Sequence, residues 1–84
     1  MDSQVISLGR SAEQFVTSPV WIAARRQAEA MIFAQWARTH ETEIAKREAL
    51  HAEMRALERF STALQTLIAN GEAEQNQLSR RAMR

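Results

Sequence analysis

The chain has 84 residues, enough for one small domain with a limited core. Hydrophobic residues make up 45% of it, but many are alanines, which favour helix and bury little area. The net charge of +1 gives no general attraction to nucleic acid or to an acidic membrane, and the absence of cysteine excludes disulfides and thiolate metal sites. No apolar run approaches the roughly 20 residues that span a bilayer, and the N-terminus does not resemble a signal peptide. We therefore expect one domain over residues 1–84, in a soluble intracellular protein or in one carried in an assembled particle.

The first segment predicts a helix over about residues 3–17, with Asp2 or Ser3 as its cap. Gly9 weakens this helix, and an alternative capping box begins at Ser11. The pattern leaves open whether the helix joins the core. Its apolar residues are Val5, Leu8, Ala12, Phe15 and Val16.

Ser18-Pro19 marks the start of a second helix, predicted over about residues 19–38. Serine is a favoured N-cap, and proline suits the first helical position while disfavouring helix at the residue before it. Packing explains both tryptophans of this segment, and the alternative is that one of them is an exposed binding anchor. The apolar stripe consists of Trp21, Ala24, Ala28, Met31 or Ile32, and Trp36, broadened by Ile22 and Phe33. The polar side consists of Arg25, Arg26, Glu29 and Arg38.

The third helix, predicted over about residues 42–70, organises the chain. Small and apolar residues recur in it with alternating steps of four and three, the spacing of a helix that packs lengthwise on another helix. These residues, which we call the seam, are Leu50, Met54, Leu57, Ser61, Leu64 and Ile68, and Phe60 and Leu67 widen it. The short polar break at residues 39–42 is typical of a connection between antiparallel helices.

Asn70-Gly71 tolerates a left-handed backbone, so we expect the third helix to end there. The segment that follows predicts a short or frayed helix over about residues 72–82. The predicted fold is therefore all-α: a long antiparallel helical hairpin with an additional N-terminal helix and a short or frayed C-terminal one.

A chain of this size with so few large side chains would be marginally stable alone, so we expect it to associate with itself or with another protein. Methionine and aromatic residues adapt well to a partner surface. The expected interface residues are Trp21, Phe33, Trp36, Met54, Leu57, Phe60, Leu64 and Leu67.

Glu48 and His51 form a Glu-x-x-His pair, the spacing of metal ligands in di-iron bundles, and Glu29 would lie at about the height of His51. At about 100° per residue, however, Glu48 lies nearly opposite the seam, whereas metal ligands in a bundle point inward. The serines have no histidine–acid pattern around them that would activate a nucleophile. We therefore expect no metal, no cofactor and no catalytic residue.

Three arginines give the C-terminus a local positive charge: Arg80, Arg81 and Arg84. They could contact phosphates or an acidic protein partner. No aromatic residue is interleaved with them and no excess charge lies elsewhere, so a solvated tail is favoured over nucleic-acid contact.

One wider arrangement spans most of the chain. It consists of Phe15-x-x-Ser18-Pro19-x-Trp21, then Trp36, then Arg47-Glu48-Ala49-Leu50-His51, then Leu64 and Asn70-Gly71. The arrangement resembles that of small helical proteins encoded among the structural and packaging genes of tailed bacteriophages. This resemblance implies a non-enzymatic accessory or assembly component of the virion, bound to portal, tail or capsid proteins. It carries over no functional residue. The alternative is a small phage-encoded inhibitor that binds a host enzyme or defence protein.

Overall fold

Three α-helices make up the chain in the computed structural model, which describes residues 3–83. They are α1 (Ser3–Val16), α2 (Pro19–Ala37) and α3 (Ile44–Ala82), and no strand occurs in that range. The predicted all-α class is confirmed, and the polar break at residues 39–42 lies in the turn between α2 and α3. The proposed cap at Asp2 lies outside the described residues.

Both α1 and α2 run antiparallel to α3, so the molecule is a long hairpin with a break in one arm. Arg10 of α1 donates a hydrogen bond to Gln75 of α3, and Trp36 of α2 stacks with Arg47 of α3. Residues later in the first arm therefore contact residues earlier in α3. The molecule measures 64 × 24 × 15 Å. At about 1.5 Å per residue, α3 alone is about 58 Å long and therefore sets the length of the rod.

The break between α1 and α2 forms as the sequence predicts. Ser18 is the N-cap of α2, where its Oγ accepts the backbone N–H of Trp21 at 3.2 Å, and Pro19 occupies the first turn. The same hydroxyl donates to the carbonyl oxygen of Phe15 at 2.8 Å. Because only two residues separate the helices, α2 follows α1 along the same side of α3.

The predicted end of the third helix at Asn70-Gly71 is wrong, and so is the separate helix over 72–82. α3 continues through both residues to Ala82, and no glycine in the described range has a positive φ. Gly71 instead lies against α1: a Cβ added to it would stand 3.1 Å from the Gly9 Cα and 3.3 Å from the Val5 carbonyl oxygen. Gly71 thus permits the close approach of two backbones. This is a second use of a residue without a side chain, besides the left-handed helix end that the sequence predicted.

Gly9 is the partner of Gly71 in this contact. A Cβ added to Gly9 would stand 2.8 Å from the Leu67 carbonyl oxygen and 3.0 Å from the Gly71 Cα, too close for any side chain. Gly9 and Ala12 are the buried residues of α1. The N-terminal helix therefore joins the core, and it does so through the residue that seemed to weaken it.

The predicted seam of α3 is the side that packs on the other arm. Leu50 is buried and the remaining seam residues are half-buried. The alternating spacing continues from Ile68 to Gly71, which is also buried. A single line of contact therefore runs along α3 from the turn to the glycine pair.

α2 approaches the backbone of α3 at fewer positions than α1 does, and larger side chains fill the space between them. The prediction that Arg25 lies on the polar, solvent-facing side of α2 is wrong. Arg25 is half-buried, donates to Ser61 Oγ of the seam and pairs with Glu29 at 3.6 Å. A long side chain can cover apolar surface while its charged end finds a polar partner, which explains why arginine fits there. Ala24, predicted in the apolar stripe, is exposed instead.

Replacing Gly9 tests the glycine contact. Gly9→Ala should lower the free energy of unfolding by about 1 kcal/mol or more, because overpacking against a fixed backbone outweighs the gain in helix propensity. Gly71→Ala should have a smaller effect because its nearest contacts are longer. Ser11→Ala, at an exposed position of the same helix, is the matched control and should change stability by less than about 0.5 kcal/mol. Chemical denaturation measures all three; a stabilising Gly9→Ala would show that the close contact does not hold α1.

Replacing a seam residue tests which side of α3 is inside. Leu50→Ala should cost about 2–5 kcal/mol because Leu50 is one of the few buried apolar side chains. Glu48→Ala, at an exposed position of the same turn of helix, should cost less than about 0.5 kcal/mol. Denaturation curves at one fixed protein concentration give both values, and a reversed order would place the seam on the wrong side.

Candidate interaction surface

The described residues bury very few apolar side chains. Ala12 and Leu50 are the buried apolar residues among them, and no large side chain is fully enclosed. The accessible surface is 6739 Å², whereas a compact monomer of this mass would expose about 5,100 Å². The radius of gyration is 18.4 Å against about 12 Å for a compact domain of this length. The elongated hairpin therefore exposes about 1,600 Å² more than a compact fold would.

One broad side of the α1–α3 pair is polar. A shallow groove runs between the two helices there, and Arg10 donates to Gln75 Oε1 across it at 3.1 Å. Glu13 of α1 and Glu72 of α3 line the same groove. This groove side carries charges of both signs and faces solvent.

The opposite broad side of the same helices is mainly apolar, with one charged residue, Glu74, on it. At about 100° per residue, Leu8 and Phe15 project away from Arg10 on α1, and Phe60 and Leu67 project away from Glu72 on α3. Aromatic contacts join the two helices on this side, because the Trp21 ring lies 5.0 Å from Phe15 and 5.5 Å from Phe60. We call this the apolar face; its residues are each 36% to 52% exposed, and they are Val5, Leu8, Phe15, Phe60, Leu67 and Leu78.

The apolar face ends before the turn between α2 and α3. A depression near the turn is lined by charged residues of both arms, including Arg38, Lys46 and Glu53. These side chains are well placed to keep that end of the rod hydrated. The continuous apolar surface is therefore confined to the part of the rod built from α1, the start of α2 and the second half of α3.

A second exposed apolar set lies along α2, from its first turn to the end before α3. Phe33 is 68% exposed, and Ile22 and Trp36 are exposed on the same flank. Trp36 already has a partner within the chain: the Arg47 guanidinium carbon lies 4.5 Å from the centre of its ring, and Arg47 Nε donates to Thr39 Oγ1 at 2.8 Å. This cation–π contact leaves Phe33 as the open anchor of the set.

The eight predicted interface residues divide into two groups. Phe33, Trp36, Phe60 and Leu67 are exposed, as a partner surface requires, whereas Trp21, Met54, Leu57 and Leu64 are half-buried in contacts between the arms. Sequence reasoning missed Leu8, Phe15 and Leu78 as surface anchors. Leu78 aligns with Phe60 and Leu67 because steps of seven and eleven residues return to the same side of a helix, but only if α3 is continuous past residue 70.

The C-terminal arginines and the candidate metal ligands form no site of their own in the described part of the chain. Arg80 and Arg81 are exposed in the last turn of α3, where their positive charge interacts favourably with the negative end of the helix dipole. Arg84 lies outside the described residues. Glu48 and His51 are exposed, and Glu29 pairs with Arg25. Within residues 3–83 no group of three or more histidine, aspartate or glutamate side chains lies close enough to hold a metal ion.

The turn is held by a reciprocal hydrogen bond. The backbone N–H of His40 donates to Glu43 Oε1 at 2.8 Å, and the N–H of Glu43 donates to the carbonyl oxygen of His40 at 2.9 Å. Lys46 Nζ lies 2.9 Å from Glu43 Oε2. The hydrogen bond from His40 and then the charge of Lys46 hold the pKa of Glu43 below its ordinary value.

No protein-family model matches this chain, and no curated protein or solved structure is significantly similar to it. None of the helices within residues 3–83 contains a stretch apolar enough to span a lipid bilayer.

Acid should selectively remove the contribution of Glu43. Because its folded-state pKa is lowered, its ionised form contributes stability that is complete above the unfolded value of about 4.3 and is lost as pH falls through the folded value. Wild type should therefore melt at a higher temperature than Glu43→Gln at pH 7, and the difference should shrink in acid. Thermal melts across a pH series measure this. Glu41→Gln in the same turn is the control, and a gap that stays constant with pH would contradict the assignment.

Proposed function

We propose that this chain is a non-enzymatic protein–protein interaction module that acts through its exposed helical surfaces. The observation that carries the proposal is the mismatch between a small core and a large apolar surface: within residues 3–83, two apolar residues are buried, against one side rich in exposed leucine and phenylalanine. Exposed apolar surface of this extent is typical of a site that another protein covers.

The placement of the polar side chains supports the same proposal. Arg25 bonds to the seam at Ser61, Arg47 bonds to Thr39, and Glu43 closes the turn. Each of these groups has a structural partner within the hairpin. These three side chains thus serve the fold, and the exposed apolar surface is where binding energy is available.

The setting we propose is a bacteriophage particle or its assembly, with the long helix α3 laid against a larger virion protein. The resemblance to small helical proteins among phage structural genes supports this, as does an elongated shape 64 Å long with one mainly apolar side. An inhibitor of a host enzyme would use similar chemistry but would act outside the particle.

Quantitative mass spectrometry of purified particles tests the setting. The particles come from the phage or prophage that encodes this chain, and a crosslinked host lysate is analysed in parallel. A virion component should be present at a fixed ratio to the portal or major capsid protein. A chain that is absent from particles but crosslinked to one host enzyme would be an inhibitor, and a chain found with neither would contradict the interaction proposal.

A further inference from the structure

Local and long-range preferences disagree at Asn70-Gly71. Locally the pair favours the end of a helix, because glycine is a poor residue inside a helix and a good one just after its end. α3 nevertheless runs through the pair to Ala82, without a positive φ. The contact that overrides the local preference is made by α1, whose Gly9 lies directly against Gly71.

The part of α3 after this pair has few anchors of its own. None of residues 72–82 is buried, and Leu78, the large apolar side chain among them, is 40% exposed. An isolated helix shorter than about 12–15 residues is marginal in water, and this segment is shorter than that. α1 supports it through the glycine contact and through the hydrogen bond from Arg10 to Gln75. The helical state of residues 72–82 therefore depends on the docking of α1.

Asn70 is exposed, and the glycine after it makes one reaction of its side chain favourable. The backbone nitrogen of Gly71 can attack the side-chain amide carbon of Asn70, so that a new C–N bond forms. The amide nitrogen leaves as ammonia with the proton of the attacking N–H, and a cyclic succinimide remains. Water then opens the succinimide to aspartate or isoaspartate. Glycine leaves the attacking nitrogen unhindered because it has no side chain.

An unbroken helix prevents this attack. Within α3 the N–H of Gly71 donates to the carbonyl oxygen of Leu67, as the helical pattern requires. Helical side chains tilt toward the N-terminus, whereas the Gly71 nitrogen lies on the C-terminal side of Asn70. Ring closure therefore requires that the helix opens at residues 70–71, which frees this nitrogen and lets the backbone of Asn70 rotate.

We propose that Asn70 is a site of spontaneous deamidation and that the docking of α1 controls the rate. While Gly9 lies against Gly71, α3 is continuous and Asn70 is protected; when α1 leaves, the helix ends at the pair and the succinimide forms. An isoaspartate at this position adds a carbon to the backbone, so the helical hydrogen bonds across it do not form again. The reaction is thus one-way and disrupts the surface that α1 and the second half of α3 share. It needs no partner and is independent of the proposed interaction.

Peptide mass spectrometry of the full chain, held at mildly alkaline pH, measures the rate at Asn70. The same chain unfolded in urea is the reference, and the folded wild type should react at least about tenfold more slowly. Gly9→Ala should raise the folded rate about fivefold, because it weakens docking by about 1 kcal/mol and about 1.4 kcal/mol is a factor of ten. Asn76, which precedes glutamine, is the internal control and should stay unmodified over the same period.

Two further variants separate the release of α1 from unfolding of the whole chain. Ser11→Ala, at an exposed position of α1, should leave the rate unchanged. Ser61→Ala removes the partner of Arg25 and so lowers overall stability, but it does not touch the glycine contact. It should change the rate at Asn70 by less than about twofold, as expected for a distant site.

Equal rates in the folded and the urea-unfolded chain would overturn the protection by α3. A Gly9→Ala rate no higher than that of wild type would overturn the control by α1. So would a Ser61→Ala rate as high as that of Gly9→Ala, because the chain would then open as a whole. No reaction in the unfolded chain would show that Asn70 is not a deamidation site.

Discussion

The contact between Gly9 and Gly71 is the constraint on which the rest of the structure depends. Each glycine makes its helix less stable than alanine would by about 1 kcal/mol, and the close packing of the two backbones offsets this. The contact also fixes the rotation of both helices, because only the glycine sides can approach so closely. Once Gly9 and Gly71 face each other, Leu8 and Leu67 are turned to the same side of the pair. The apolar face is therefore a consequence of where the two glycines stand.

The two ends of the rod use different packing. Near the chain termini, backbones touch through glycine and alanine; toward the turn, α2 stands farther off and side chains such as Trp21 and Arg25 occupy the gap. In both regions the hairpin is a single layer of paired helices. Such a layer buries one stripe of each helix and leaves both broad sides open, which explains why a sequence with 45% hydrophobic residues has so small a core.

Sequence periodicity predicted the features that depend on neighbours along the chain. The alternating spacing of the seam and the Ser18-Pro19 start of α2 are both local signals, and both are found in the structure. The end predicted at Gly71 failed because glycine has two uses, a left-handed cap and a close contact. Which use applies depends on Gly9, far away in the sequence. The prediction that Arg25 lies on the polar side of α2 failed for the same reason, because its partner Ser61 belongs to another helix.

The exposed apolar surface was harder to predict than the fold because it consists of what packing within the chain leaves uncovered. Half of the expected interface residues are used by the hairpin itself, and no periodic pattern separates a side chain that packs within a chain from one that packs between chains. The distinction needs the rotation of each helix. That rotation is set here by two residues without side chains, which contribute nothing to an apolar stripe. In a thin helical protein the residues that decide which apolar side chains stay exposed can thus be the ones that hydrophobic patterning overlooks.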